Sequence, residues 1–135
     1  LGTNILYVCQ PFNENNLTDI EALDYFFSKV LKLKSDLKII RLRLHPLESK
    51  LKYRSVVNKY IEHFEIDIIN GSPLSDDLNW SDCVVGMHAQ ALAVAVEFGV
   101  KTFYCIPPKG KECVLPHIEI LNFEKYLELD KHSKK

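Results

Sequence analysis

The 135-residue chain carries no excess charge of either sign, with 17 lysines and arginines against 18 acidic residues and a formal net charge of −1. A basic footprint for nucleic acid is therefore missing. Charged residues at 26% and apolar residues at 47% exclude a disordered chain and match an ordinary folded domain. No apolar run approaches the roughly 18 residues needed to span a bilayer, so no transmembrane segment is expected. The first residues lack a basic segment followed by an apolar stretch, which points to a cytoplasmic protein, although Leu1 and Gly2 leave room for an upstream segment. The four cysteines, Cys9, Cys83, Cys105 and Cys113, have neither close pairing nor zinc-type spacing, and three lie in apolar runs. Buried reduced thiols are expected in place of a disulfide framework. No metal cluster is visible, and no internal repeat or linker divides residues 1–135. One domain is expected, and a globule of this length buries roughly two-thirds of the surface its unfolded chain exposes.

What is present is a regular alternation of apolar runs and helical patterns. Asn4 to Gln10 reads as a strand buried on both faces and stopped by Pro11. Thr18 and Glu21 form a capping box, and Ile20, Leu23, Phe26, Phe27, Val30 and Leu31 then recur at helical spacing, predicting a helix over about 19–34. Leu37 to Leu44 is a second strand, ended by His45-Pro46, and Leu51, Val56, Val57, Tyr60 and Ile61 mark a second helix. Phe64 to Ile69 returns to strand character before the turn residues Asn70-Gly71-Ser72-Pro73, where Ser72 as cap and Pro73 at the first helical position predict a short helix through Leu78. Asp82 to Gly86 and Lys101 to Ile106 are further strands, separated by an alanine-rich helix, Ala89 to Phe98, that ends at Gly99. Pro107 to Pro116 reads as an exposed loop, His117 to Leu121 as a short edge strand and Phe123 to Leu129 as a last helix. This order predicts an α/β fold, a doubly wound, mainly parallel Rossmann-like sheet of five or six strands with helices on both faces.

Such sheets bind ligands at the carboxyl ends of their strands, where the strand order reverses. Gln10-Pro11, Arg43-Leu44-His45-Pro46, Gly71-Ser72-Pro73 and Gly86-Met87-His88 all fall there. Arg43 and His45 share a strand face, so a guanidinium and an imidazole can point at one anion while Pro46 fixes the chain's exit. Gly86 with a helix start near His88 supplies free amides and a positive dipole end; His88 is placed either to cap that helix or to touch the ligand. Glu48 is placed to orient the imidazole, to accept from a ribose hydroxyl, or simply to open the next helix. Lys109 and Lys111 either close over phosphates or are solvated.

Taken in order, Ile-Leu-Tyr-Val-Cys-Gln-Pro (5–11), Arg-Leu-His-Pro (43–46) and Ser-Asp-Cys-Val-Val-Gly-Met-His-Ala-Gln-Ala-Leu (81–92), with Glu97-Phe98-Gly99-Val100, resemble the carboxyl-terminal domain of bacterial GT-B glycosyltransferases with a His-Pro motif. These are the sialyltransferases and their relatives that use CMP-activated donors. The resemblance implies a nucleotide-sugar-binding domain, the carboxyl-terminal half of a two-domain enzyme of surface polysaccharide or lipooligosaccharide synthesis, working at the inner face of the membrane. It implies that His45 acts catalytically on the leaving phosphate, and that Arg43, His45, Pro46, Ser72, Gly86, His88 and Gln90 line the donor site, without a metal or separate cofactor. The sequence departs from the family where Ser72 stands in place of an acidic ribose ligand and Ala89-Gln90 in place of a Ser or Thr pair. Asp76-Asp77-Leu78 lacks the glycine of the family's acidic base motif, so the glycan acceptor and its general base are expected from an amino-terminal domain. The alternatives are a transferase domain using CDP-glycerol or a UDP-sugar, and a non-catalytic α/β interaction module.

Overall fold

The structure, a computed structural model, describes residues 2–14, 16–32, 38–87, 90–108 and 120–133. The first strand, β1 (Asn4–Val8), is buried from Ile5 onward, as an uncharged run Ile-Leu-Tyr-Val requires. A two-residue-stranded hairpin, β2 (Asn13–Glu14) and β3 (Leu17–Thr18), follows, and Asn16 in its turn takes φ 62°, a left-handed conformation that asparagine tolerates. Thr18 then caps α1 (Asp19–Leu31) by accepting the Glu21 N–H at 3.1 Å. The remaining elements are β4 (Ile39–Arg43), a 3-10 turn (Lys50–Tyr53), α2 (Arg54–Tyr60), β5 (Glu65–Ile69), α3 (Leu74–Trp80), β6 (Cys83–Gly86), α4 (Gln90–Phe98), β7 (Lys101–Tyr104), β8 (Ile120–Asn122) and α5 (Phe123–Ser133).

Six strands form one all-parallel sheet in the order β5-β4-β1-β6-β7-β8. Counted along the chain within that sheet, the order is 3-2-1-4-5-6, the doubly wound arrangement whose direction of winding reverses between β1 and β6. Side chains alternate across the sheet, so the two faces carry separate cores. On one face Ile5, Tyr7, Ile40, Leu42, Val85 and Phe103 pack against Leu23, Phe26 and Phe27 of α1, Val56, Val57 and Tyr60 of α2, and Phe123 of α5. On the other, Leu6, Val8 and Val84 meet Leu78 of α3 and Leu92 and Ala95 of α4. Burying each of the larger of these side chains is worth about 1.5–3 kcal/mol, which is why short strands with no helix capable of standing alone hold together.

The fold expected from the sequence is the one observed, with local differences. Residues 13–18 form the unforeseen hairpin, and β1 closes at Val8, two residues short of Gln10. Ser72 does not cap α3: Pro73 occupies the cap position without a side-chain bond, because the Ser72 hydroxyl donates instead to Asp77 Oδ2 at 3.0 Å. Cys9, Cys83 and Cys105 are buried free thiols, and burial pushes the last two up to about 12, well above reactivity. Cys113, Lys109, Lys111 and most of the expected 107–116 loop lie outside the described residues. Among the described residues no helix is long and apolar enough to cross a membrane.

Candidate functional site

The reversal point sits between the ends of β1 and β6. Gly86 is tightly enclosed there: a Cβ would lie 3.2 Å from Leu92 Cδ2 and 3.3 Å from the Val8 carbonyl oxygen. Its lack of a side chain lets α4 close onto the sheet beside β1. Tyr7, Cys9, Gln10, Asp19, Tyr53 and Met87 enclose a small cavity of about 10 Å³ at this point. Beside it, sharing Asp19, an open groove of about 510 Å³ runs between the hairpin and the 3-10 turn, walled by Pro11, Phe12 and Ile20 with Asn13, Thr18 and Lys52. Gln90 is exposed at the first turn of α4, and His88 lies outside the described residues.

His45 leaves the carboxyl end of β4 in a turn with the exposed Pro46. Its Nδ1 accepts the Leu47 backbone N–H at 3.1 Å. In the neutral ring the proton therefore resides on Nε2, which makes that atom a fixed donor. The His45 backbone N–H donates to Glu48 Oε1 at 2.9 Å. The ring is thus held by main-chain contacts on a short loop, with no carboxylate bonded to it among the described residues.

Arg43, two residues earlier, turns to a different partner. Its NH1 donates to Asp77 Oδ2 at 2.6 Å and to the Ser72 carbonyl at 2.7 Å. Arg41 donates to the other oxygen of Asp77 at 3.2 Å, and its guanidinium carbon sits over Trp80, 4.0 Å from the ring centroid. Asp77, which the sequence suggested only as an acidic residue on a short helix, is 1% exposed and binds two guanidinium groups and the Ser72 hydroxyl. Alternation along β4 explains the arrangement: Ile40 and Leu42 enter one core while Arg41 and Arg43 are thrust toward α3, where a buried carboxylate neutralises them. Ser72 and Arg43 are therefore joined in a structural ion cluster beside the site.

A second network spans the ends of β1 and β4. Asp19 Oδ2 receives the Phe12 N–H at 3.0 Å and Lys52 Nζ at 2.5 Å, while Lys52 Nζ also donates to Glu48 Oε2 at 2.8 Å. The Tyr53 hydroxyl donates to the same Glu48 oxygen. Burial by itself would lower the Lys52 ammonium, but the bonds to Asp19 and Glu48 outweigh it and hold the group above its ordinary value. Burial, then the neighbouring Cys9 and the bond to Glu48, push the Tyr53 phenol far up, so it stays a proton donor. The sequence singled out Glu48 but not Asp19, Lys52 or Tyr53. The signal for Lys52 was its spacing of four from Glu48; the rest depends on the return of the chain from α1 to the 3-10 turn.

Among the described residues no group of three or more His, Cys, Asp and Glu side chains is arranged to hold a metal ion. Among the described residues, the chemistry on offer at this edge is that of a fixed hydrogen-bond donor, the His45 Nε2–H. Comparison of the chain with protein-family models, with curated proteins and with solved structures gave no match in any of the three.

Proposed function

We propose that the chain is the donor-binding domain of a GT-B-type glycosyltransferase, taking a CMP-activated acidic sugar such as CMP-sialic acid, with His45 donating from Nε2 to the departing phosphate. The observation that carries this reading is the His45-Pro46 turn, which holds the imidazole at the ligand edge of a 3-2-1-4-5-6 sheet with Nδ1 already engaged by Leu47. A donor fixed before the reaction stabilises charge that develops on the leaving group without reorganising during the step. The acceptor and its general base belong, in this reading, to an amino-terminal half. Arg43, held by Asp77, contributes field more than a direct contact. That commitment favours a second reading, a non-catalytic α/β interaction module, in which the strand-end residues serve the fold alone.

Calorimetric titration with CMP, CDP and UDP tests the proposal on wild type and His45→Ala. The expected outcome is preference for CMP and a loss of about tenfold or more in affinity on substitution, the worth of one hydrogen bond to a charged group. Absence of cytidine-nucleotide binding, or binding untouched by His45→Ala, overturns it. A preference for CDP or UDP moves the donor to CDP-glycerol or a UDP-sugar.

A further inference from the structure

We infer that Glu48 is the positioning residue for His45: its carboxylate, gripped by Lys52 and Tyr53, fixes the main chain where the His45-Pro46 turn begins and so aims the imidazole. The inference takes its ligand, and only its ligand, from the donor-site reading above.

Three roles were open to Glu48, and the geometry separates them. Opening the following helical turn is done by Ser49, whose hydroxyl accepts the Leu51 N–H at 3.0 Å. Binding a ribose hydroxyl needs an accessible carboxylate, and the Glu48 side chain is 1% exposed. What remains is the bond from the His45 N–H to Oε1 at 2.9 Å, with Oε2 taken by Lys52 and by the Tyr53 hydroxyl. A buried carboxylate with both oxygens satisfied has no freedom to swing, so the amide that it binds is held as firmly as the core beneath it.

The same network reaches the neighbouring strands. Lys52 bridges to Asp19, which also accepts the Phe12 N–H after β1, and Asn70 Nδ2 after β5 donates to the Glu48 carbonyl at 3.4 Å. Glu48 thus ties the loops after β5 and β4 directly and, through Lys52 and Asp19, the loop after β1. Because Nδ1 of His45 takes its proton donor from Leu47 in the turn that Glu48 anchors, loosening the anchor frees the ring to exchange tautomers and lose its aim.

The test uses nitrogen-15 NMR of the histidine rings, with His45 assigned by its absence in His45→Ala, alongside CMP titration of the folded proteins. Wild type is expected to show His45 as the Nε2-protonated tautomer. Glu48→Ala should show mixed tautomers, and Glu48→Gln, whose amide oxygen can accept the His45 N–H only with its NH2 turned against the Lys52 ammonium, should fall between Glu48→Ala and wild type in tautomer ratio and affinity. Glu48→Ala should also weaken CMP about as much as His45→Ala, roughly tenfold, and the double variant should be no weaker than either single one. An unaltered tautomer in folded Glu48→Ala, or losses that add in the double variant, overturns the inference. If Glu48→Ala does not fold, Lys52→Met, which leaves Oε2 to Tyr53 alone, takes its place: mixed tautomers support the role and a wild-type spectrum refutes it. Should His45→Ala leave CMP binding unchanged, the donor-site reading fails, while the tautomer comparison still decides the role of Glu48.

Discussion

Replacing Asp77 with alanine removes the one carboxylate that Arg41, Arg43 and Ser72 share. Breaking a buried pair by deleting one partner costs about 3–5 kcal/mol, because the other charge is left in a poor dielectric. Here the Asp77 side chain is 2% exposed, but the arginines keep 23% and 22% of their surface in water and can be partly rehydrated. The discounted cost is about 2–3 kcal/mol. At this chain length that corresponds to a fall in Tm of roughly 6–15 °C. Urea unfolding followed by fluorescence is a direct assay, since Trp80 is the chain's single tryptophan and lies against Arg41. Placing Arg43→Met in the Asp77→Ala background should recover part of the loss by removing an unpaired charge, although Arg43→Met alone destabilises. A cost below about 1 kcal/mol, or strictly additive effects of the two substitutions, would refute the claim that this cluster is a coupled buried unit.

Gly86→Ala should cost about 1–3 kcal/mol in the same urea assay, because the added methyl meets the Val8 carbonyl of a buried strand, which cannot retreat; stability equal to wild type would contradict the close packing at the reversal point. Stability should also fall in acid through Glu124, whose carboxyl is held below its ordinary value first by the Tyr25 hydroxyl and then by Lys29. A depressed native value means that the contribution is complete above about pH 4.3, the unfolded glutamate value, and is lost as pH falls through the native one. Glu124→Gln should flatten that part of the stability profile; parallel acid losses in variant and wild type would show that the pairing does not matter.

The strands and helices were legible because their apolar residues repeat with the right periods. Ile40, Leu42 and Leu44 alternate with Arg41, Arg43 and His45, and that pattern places the arginines on the opposite face before any coordinates are known. The site was legible only as an edge. Asp77 was read only as part of an acidic pair, Asp76-Asp77, that misses the glycine of a base motif, and nothing local marks it as buried; its burial comes from α3 crossing beneath two arginines of β4, a contact set by topology. The same competition drew Ser72 away from its expected cap. Asp19 was read as part of a helix start, yet its carboxylate binds Lys52, 33 residues on. Hydrogen-bond partners so far apart leave no periodic trace. The hairpin at residues 13–18 was missed because strands of two residues fall below the length at which alternation can be seen.

The central place of β1 has a consequence for synthesis. It precedes the other five strands of its sheet along the chain, yet one of its two neighbours arrives late: Asn4 is bonded to Asp82, 78 positions downstream. Until β6 leaves the ribosome, β1, β4 and β5 can gather under α1 and α2, but one edge of an uncharged Ile-Leu-Tyr-Val ladder stays open and Leu6 and Val8 lack the cover of α4. The nascent chain therefore passes through a stage with a bare, adhesive edge, open to association with other chains until β6 and α4 close over it.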